Sequence, residues 1–379
     1  MKVLTTTSMF PNPANRMRGI SVWQRTRALA RLCEVRVIAP SMDGAVARRE
    51  VVEGIEVLHP RWTRIPKAVV LNGHLFARLA TRAAAELGGF APDAIDAHFV
   101  YPDGFGAIRL GRKLGVPVCV SARGTDVNEL CFRWPMRRLA RRVLREADQL
   151  VAVSAALEAK MIEAGAPANG IAVVPNGVDT ALFHPGDRAA ARRALGVSDD
   201  ATVLFSAGGL IEQKGYQDLV GGLAMLTGWP GLRLCIAGDG PFEASLRQAA
   251  ADAGLAGRVS LLGRLAPEAM AEWYRAADLL VFGSWREGCP NVVIEALASG
   301  LPVVATRVGG VPELVDERSG VLFEPRSPEA FAAALREALG RDWDRDAIAA
   351  SGGARSWERV AREVYAVLEQ MVARRKASP

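Results

Sequence analysis

The stretch that decides the fold is Trp285-Arg286-Glu287-Gly288-Cys289-Pro290-Asn291-Val292-Val293-Ile294-Glu295-Ala296-Leu297-Ala298-Ser299-Gly300-Leu301-Pro302. It follows a short apolar run, Leu279–Phe282, which has the length and composition of a buried strand. Pro290 suits the first position of a helix, and a Gly and a Pro near the end of the stretch mark where that helix stops. A strand that leads through a loop into a helix is the unit of a parallel sheet with helices on both faces. Val292-Val293-Ile294 by itself could also be strand.

Two carboxylates flank the start of this expected helix. Glu287 precedes the helix, and Glu295 lies about two turns farther along it. Free N–H groups at a helix start can hold a phosphate, and a carboxylate can accept from two adjacent hydroxyl groups. The pattern therefore indicates a ligand that carries both phosphates and vicinal hydroxyls. On chemistry alone, an ordinary strand–helix unit with solvated acids remains the alternative.

The same alternation of short apolar runs with amphipathic stretches extends through the whole chain. Helix spacing is clearest in Val22–Arg31 and Gly104–Leu114. The strands expected in the first half are Val3–Thr6, Val35–Ala39, Ala94–Ala97, Val116–Ser121 and Leu150–Val153. Those expected in the second half are Thr202–Ala207, Leu232–Ala237, Val259–Leu262, Leu279–Phe282 and Pro302–Ala305. The rhythm predicts an α/β protein with two doubly wound sheets, whose ligands would bind in a cleft at the carboxyl ends of the strands.

The domain boundary is expected near residue 185, after a stretch rich in Pro and Gly. This gives an amino-terminal domain at 1–185, a second domain at 186–355, and a last helix within 356–379 that packs back on the first domain. Residues 51–67 break the alternation and indicate a hairpin or loop. Ser351-Gly352-Gly353 indicates a break before the last helix.

Composition excludes several classes of protein. The 379 residues suit two or three domains, and 50% hydrophobic with 23% charged residues excludes a disordered or collagen-like chain. The five Cys lack metal-ligand or disulfide spacing, so a reducing cytosol is expected. No apolar run reaches the length of a membrane span, and the first residues are too polar for a signal peptide.

Positive charge is concentrated in the first half. Residues 1–180 hold 25 Lys and Arg against 16 Asp and Glu, whereas the remainder holds 22 against 25. The first half should therefore face an anionic partner or a membrane surface.

Glu287 and Glu295 resemble the E-x7-E signature of retaining, GT-B-fold glycosyltransferases of family four. The neighbouring residues match too, through Pro302-Val303-Val304-Ala305 and Gly309-Gly310-Val311-Pro312-Glu313. Val174–Asp179 resembles the interdomain segment of the family. The resemblance covers nearly the whole chain, and it implies a GT-B fold, with two Rossmann-like domains facing each other across a cleft. It is similar in particular to members that build surface polysaccharides.

The resemblance implies a donor site in the second domain and an acceptor site mainly in the first. Glu287 would bind the hydroxyls of the transferred sugar, Glu295 the ribose, and Lys214 the diphosphate. Backbone N–H groups of Cys289, Asn291 and Val292 would assist. No metal and no cofactor are implied, and Asp342-Trp343-Asp344 is interpreted as acids at a helix start.

The chain departs from the family in the loop before Lys214, where family members often have an Arg after a Gly. Here Gly209 occupies the Arg position, so one cation for the phosphates is missing. Arg264, Arg286 or an Arg of the first domain could replace it, and the sequence does not choose among them. Gly208-Gly209 also suits a tight turn.

The first half offers candidates for the acceptor side. Gly19, before a helix, resembles the glycine loop that faces the diphosphate. His98, at the end of a strand, resembles the cleft histidine near the transferred sugar. Arg123 and Asp126 belong to Ser121-Ala122-Arg123-Gly124-Thr125-Asp126, which is similar to a polysaccharide-building subset in which Arg replaces His.

The segment 133–145 is strongly basic, with apolar residues at helical spacing. Its candidates for contact with an anionic membrane are Arg137, Arg138, Arg141 and Arg142. A solvated helix face is an equally good interpretation. Nucleic acid is not expected, because aromatic residues are not interleaved with the cations.

The resulting hypothesis is a retaining, metal-independent hexosyltransferase that moves a sugar from a UDP- or GDP-sugar to a hydroxyl of a glycan or lipid-linked acceptor, in surface polysaccharide synthesis. A cytoplasmic place is expected, peripheral on the inner face of the cell membrane. The alternatives are a catalytically silent sugar-nucleotide binder, which the Gly209 departure would permit, and a sugar-nucleotide epimerase on a similar fold.

Overall fold

A computed structural model describes residues 1–13, 15–43, 46–63, 65 and 69–377. Contacts divide the chain into two compact units. Unit 1 comprises Met1–Gly177 and Trp357–Pro379, and unit 2 comprises Val178–Ser356. The change between units thus falls a few residues before the position expected near 185, and the chain returns to unit 1 for its last helix.

Unit 1 is built on one sheet. Its strands are β1 (Lys2–Thr6), β2 (Glu34–Ile38), β3 (Arg49–Val52), β4 (Ile55–Leu58), β5 (Ala94–His98), β6 (Val118–Ala122), β7 (Gln149–Ala152) and β8 (Ile171–Val173). Its helices are α1 (Ile20–Leu29), α2 (Val69–Ala85), α3 (Phe105–Leu114), α4 (Thr125–Asn128), α5 (Met136–Glu146) and α6 (Ala155–Glu163). The strand order is β3-β4-β2-β1-β5-β6-β7-β8, parallel except for the β3–β4 hairpin. Every residue of β5, β6 and β7 is buried, as expected for parallel strands covered on both faces.

Unit 2 is built on a second, entirely parallel sheet. Its strands are β9 (Thr202–Ala207), β10 (Leu232–Ala237), β11 (Val259–Gly263), β12 (Leu279–Phe282), β13 (Val303–Thr306) and β14 (Gly320–Phe323). Its helices are α7 (Arg188–Leu195), α8 (Tyr216–Ala224), α9 (Glu243–Asp252), α10 (Pro267–Ala276), α11 (Asn291–Ala298), α12 (Val311–Leu314), α13 (Pro328–Leu339) and α14 (Arg345–Gly353). The order β11-β10-β9-β12-β13-β14 reverses its direction between β9 and β12. Ligands of open α/β sheets bind at such a switch point.

The last helix, α15 (Trp357–Ala377), completes the core of unit 1. Its buried face, which includes Trp357, Val364 and Leu368, packs with Val22 of α1 in one hydrophobic cluster. Because α15 covers part of the unit 1 core, the chain returns to unit 1 after unit 2. No helix in the described part of the chain combines the length and the apolar character needed to cross a membrane.

Several sequence expectations need correction. The break expected at residues 351–353 before the last helix lies three residues later, at 354–356, because residues 351–353 are the last residues of helix α14. A Cβ at Gly352 would lie 2.4 Å from the carbonyl carbon of Leu297, so glycine there serves close packing of α14 on α11 rather than helix termination. Strands β8 and β14 were not expected, since one is three residues long and the other begins with Gly. Of the hairpin or loop expected at 51–67, the structure shows a hairpin, β3–β4, which begins two residues earlier at Arg49. Residues 64, 66 and 67 lie outside the described part.

Candidate functional site

The two loops that follow β9 and β12 meet at the switch point of the unit 2 sheet. Lys214, after β9, places its Nζ 2.7 Å from Oε1 of Glu287, after β12. Both side chains are largely buried, with 27% and 13% of their surface exposed. The two groups that the resemblance assigns to diphosphate and sugar are therefore neighbours in space, although they are far apart in sequence.

Helix α11 begins directly after this pair. The structure corrects the position expected for Pro290. Pro290 is the N-cap residue, just before the helix, and Asn291 is the first helical residue. Val292-Val293-Ile294 is helix, which removes the strand alternative. The first N–H groups of a helix have no acceptor within it. Asn291 and Val292 therefore lie where backbone donors can meet an anion, and the neighbouring Cys289 is buried in the preceding loop.

Two glycines allow the loops to approach each other this closely. Gly215 has φ +64°, and a Cβ there would lie 2.0 Å from the carbonyl oxygen of Gly283. Gly309 has φ +50°, and a Cβ there would lie 2.1 Å from the carbonyl oxygen of Glu287. Any side chain at either position would push the loop of Lys214 or that of Glu287 out of place.

Glu295 lies on α11, and its carboxylate accepts a hydrogen bond from a residue that the sequence did not single out. Tyr274 of α10 donates its hydroxyl to Oε2 of Glu295 at 2.9 Å. Burial raises the pKa of Glu295 to about 7, although the hydrogen bond from Tyr274 acts in the opposite direction. The charge of this carboxyl therefore changes near neutral pH.

The loop of Gly208 and Gly209 lies beside the loop that follows β10. Gly208 has φ +150°, whereas Gly209 does not share this positive φ and is exposed. The tight turn expected for both glycines thus holds for Gly208 alone. A Cβ at Gly209 would find its nearest neighbour, the carbonyl oxygen of Asp239, 4.0 Å away. Arg264 is paired with the Asp239 carboxylate at 2.9 Å, so this cation candidate is held next to the Gly209 loop.

His98, at the end of β5 in unit 1, is fully buried. Its Nδ1 accepts from Nη2 of Arg123 at 2.8 Å, and its Nε2 lies 3.4 Å from Oδ2 of Asp96. Burial, together with the guanidinium groups of Arg25 and Arg123, lowers the pKa of His98 to about 3. The imidazole is therefore uncharged at neutral pH, and both ring nitrogens face protein groups.

A buried ion pair stands behind His98. Arg25 of α1 donates to both carboxylate oxygens of Asp96, at 2.5 and 2.6 Å, and to the hydroxyl of Ser121 at 3.0 Å. Burial alone would raise the pKa of Asp96, but the Arg25 guanidinium and His98 together outweigh it and hold that pKa below its usual range. Sequence reasoning missed Arg25, although an Arg within the apolar periodicity of α1 was a usable signal.

Arg123 and Asp126 take different positions in the loop after β6. The Arg123 side chain is partly exposed and donates to Oδ1 of Asn176 at 2.8 Å as well as to His98. Asp126 is 3% exposed, and its carboxylate accepts from the backbone N–H groups of Val100, Arg123 and Gly124. Asp126 thus fixes the loops that carry the neighbouring candidates.

Gly19 caps the start of α1 with φ +63°. A Cβ there would lie 2.2 Å from the carbonyl oxygen of Met9, so the close approach of two backbones demands glycine at this position. Ala14, in the same loop, lies outside the described residues. Binding of a diphosphate near Gly19 stays a prediction.

The basic segment forms helix α5, with Met136, Ala140, Val143 and Leu144 buried. Arg137, Arg138, Arg141 and Arg142 are all exposed. Trp134, just before the helix, is 83% exposed.

Metal ligands do not cluster in the part of the chain that the structure describes: no group of three or more His, Cys, Asp or Glu could hold an ion there. Asp344 of the Asp342-Trp343-Asp344 motif is an acid at a helix start, as the sequence suggested. Asp344 caps α14 by accepting from the backbone N–H of Ala347 at 2.9 Å.

Two family profiles match this chain. The profile of "Glycosyl transferases group 1" matches residues 201–341, and that of "Glycosyltransferase Family 4" matches residues 19–182. A D-inositol 3-phosphate glycosyltransferase of Acidothermus cellulolyticus is 34% identical over 343 residues, which are 85% of this chain and 74% of that protein. This chain belongs to the group 1 and family 4 glycosyltransferases.

Two further relatives show how the similarity varies in identity and coverage. A protein of the same name from Geodermatophilus obscurus is 40% identical over 259 residues, 62% of this chain, and the aligned part spans only 57% of that relative. The putative teichuronic acid biosynthesis glycosyltransferase TuaC of Bacillus subtilis is 27% identical over 88% of both chains.

Solved structures establish the fold of this family member as GT-B. Anabaena HepE in complex with UDP superposes with a TM-score of 0.77, covering 98% of this chain and all of that one at 23% identity. The expected α/β class with two Rossmann-like domains is confirmed.

Proposed function

We propose that this chain is a retaining glycosyltransferase that takes its sugar from a nucleoside diphosphate donor bound in unit 2. The observation that carries the proposal is the Lys214–Glu287 ion pair at the switch point of the sheet. A cation there neutralises the diphosphate that leaves with the nucleotide. An arriving diphosphate competes for Lys214, and Glu287 accepts hydrogen bonds from the sugar hydroxyls.

The other donor contacts follow from the geometry of α11. The backbone N–H groups at Cys289, Asn291 and Val292 face the phosphate end of the ligand, and Glu295, farther along the helix, accepts from the ribose hydroxyls. Arg264 supplies the positive charge missing at Gly209, because Asp239 holds it beside that loop. The acceptor proton passes to the leaving phosphate oxygen, in a reaction that needs neither metal nor cofactor.

The acceptor belongs to unit 1 in this proposal. Arg123 and His98 form the polar cluster at the ends of β5 and β6, and Asp126 keeps their loops in place. The acceptor is a hydroxyl of a glycan or of a lipid-linked glycan, in the synthesis of a surface polysaccharide. The name of the TuaC relative supports this choice, and the inositol phosphate relatives point to a small polar acceptor instead.

Release of nucleoside diphosphate from UDP- and GDP-sugars tests the donor half of the proposal. A thermal-shift screen first selects the donor, since a ligand that binds the folded state raises its Tm. Glu295→Ala should weaken donor binding, and Glu287→Ala should abolish transfer. Unchanged turnover in both variants would remove the site. If the parent binds the nucleotide sugar but releases no nucleoside diphosphate, the second candidate, a catalytically silent binder, is favoured. The departure at Gly209 is the observation behind that candidate.

The exposed arginines of α5 dock the protein on an anionic membrane in this proposal. Each cation near such a surface contributes about 1 kcal/mol, and an exposed Trp such as Trp134 sits well at a lipid headgroup interface. A cytoplasmic enzyme that is peripheral on the membrane would thereby reach a lipid-linked acceptor.

Vesicle sedimentation tests this docking. The variant with Arg137, Arg138, Arg141 and Arg142 changed to Ser should lose binding to anionic vesicles. The matched control removes four exposed arginines elsewhere, Arg247, Arg307, Arg318 and Arg359, and should keep it. Equal binding of the parent to neutral and anionic vesicles would refute the docking surface.

A further inference from the structure

Packing within unit 2 fixes the position of the Tyr274 hydroxyl. The side chain is fully buried, and its ring packs edge-on against Phe205 of β9 at 5.3 Å and against Phe183 at 5.7 Å between ring centroids. Rings held on two sides leave the phenol one orientation. That orientation directs its hydroxyl to Oε2 of Glu295.

The carboxylate of Glu295 depends on this one donor. Among the residues that the structure describes, no other side chain is hydrogen-bonded to it. Because Oε2 is taken by the phenol, the orientation of Oε1 is set as well. A carboxylate held in this way is pre-organised for hydroxyl donors from a ligand, which lowers the entropic cost of binding.

We propose that Tyr274 is a positioning residue for nucleotide binding: its hydroxyl holds the Glu295 carboxylate in the orientation and charge state that accept the hydroxyls of a ribose. This inference rests on the proposed function, since it deepens the donor site. Tyr274 itself does not touch the ligand. It acts only through Glu295.

The charge state matters because a protonated carboxyl loses part of its capacity to accept hydrogen bonds. Burial raises the pKa of Glu295 to about 7, and the phenol hydrogen bond lowers it. The groups near this carboxyl are Tyr274 on α10 and, beyond it, Tyr216 on α8, whose phenol also acts on Tyr274. Loss of the Tyr274 hydroxyl therefore raises the pKa of Glu295 further, and more of it is protonated at neutral pH.

The test is the affinity of the full chain for UDP and GDP, measured by calorimetry between pH 6 and pH 9 in the parent and in Tyr274→Phe. For the nucleotide that the parent binds, Tyr274→Phe should raise Kd about tenfold at pH 7, the effect of one hydrogen bond to a charged group. At pH 9 the difference should shrink to about threefold, because Glu295 is then ionised in both proteins. The turnover number kcat at saturating donor should stay unchanged.

A matched control and a second variant separate the possible outcomes. Tyr365→Phe removes a phenol hydroxyl from α15 of unit 1 and should bind nucleotide like the parent. Glu295→Gln should weaken binding with little dependence on pH. If Glu295→Gln weakens binding but Tyr274→Phe does not, the positioning role is wrong and the donor site stands. If Tyr274→Phe weakens binding equally at every pH and lowers Tm, the phenol serves packing, which also overturns the inference. If Glu295→Gln itself binds normally, the donor site is wrong.

Discussion

Lys214 and Glu287 illustrate how single side chains prepare a site before its ligand arrives. Each is largely buried, and a buried charge is costly unless it is paired. Their ion pair holds both side chains at the same point of the sheet. The resemblance to a known family named these residues, whereas Tyr274 and Arg25 became visible only when the chain was folded. Their partners, Glu295 and Asp96, lie on other elements, so the sequence does not show the pairing itself, although the apolar setting of Arg25 on α1 was a signal that it has a buried partner.

Lys214 should contribute to binding of the phosphates and not of the nucleoside. Lys214→Met should weaken binding of UDP or GDP by about 2 kcal/mol, the typical worth of a hydrogen bond to a charged group. Binding of the matching nucleoside should not change. Calorimetry with both ligands measures the difference, and Lys160→Met, an exposed lysine of unit 1, is the control. An equal loss for nucleoside and diphosphate would show that Lys214 does not meet the phosphates.

Gly209 can be changed to the residue that many family members carry there. Gly209→Arg should fold normally, because a Cβ at this position has only Asp239 at 4.0 Å and the backbone needs no positive φ. The added cation should tighten binding of nucleoside diphosphate by about 1 kcal/mol. Gly208→Arg is the contrasting variant: its φ of +150° and the Tyr216 hydroxyl 3.0 Å from the Cβ should make it unstable. Thermal unfolding and UDP titration would report both effects, and a destabilised Gly209→Arg would contradict this account.

At the scale of elements, the order of strands and helices was largely visible in the sequence. The bounds of β9, β10 and β12 agree with expectation, because each is a mainly apolar run between turn residues. The incorrect expectation at Gly352 has a physical cause. The Gly352 position was taken for a break, since glycine is usually destabilising within a helix. Its actual use, the contact of α14 with α11, depends on a neighbour that is distant in sequence.

The two adjacent glycines of α14 offer a matched pair of substitutions. Gly352→Ala should destabilise unit 2 by about 1–3 kcal/mol, because the new methyl group meets the backbone of Leu297 and Ala298. Gly353→Ala should be neutral or stabilising by about 0.5 kcal/mol, since only Thr180 is near, at 3.9 Å. Denaturant unfolding distinguishes the two. Because α11 carries Glu295, Gly352→Ala should also weaken nucleotide binding. Equal stabilities would mean that the helices are not closely packed there.

At the scale of the whole molecule, the two units are unequal in chain connectivity. Unit 2 is one continuous segment, whereas unit 1 is assembled from two segments separated by all of unit 2. The sequence predicted a last helix that packs back on the first domain, and helix α15 belongs to unit 1 in the structure. The division falls within the Pro/Gly-rich stretch that suggested it, but a few residues before residue 185, because composition marks a flexible stretch without marking the exact residue at which the chain changes units.

A destabilising substitution in α15 should lower the stability of unit 1 and leave that of unit 2 unchanged. Leu368→Ala should destabilise unit 1 by about 2–5 kcal/mol, the usual cost of removing a fully buried Leu side chain. Binding of nucleoside diphosphate to unit 2 should keep its affinity below the unfolding transition. Hydrogen exchange resolved along the chain would locate the effect, and Gln370→Ala, on the exposed side of the same helix, is the control. Faster exchange in unit 2 would contradict this division of the molecule.

The late position of α15 has a consequence for biosynthesis. During translation, all of unit 2 emerges in one piece and before α15, so unit 2 does not depend on a later segment to acquire its structure. Unit 1 emerges first but must wait, since Trp357 and the apolar residues after it cover its core only once they leave the exit tunnel. Until then the early segment exposes apolar surface, and it is the part of the nascent polypeptide that a chaperone would have most reason to hold.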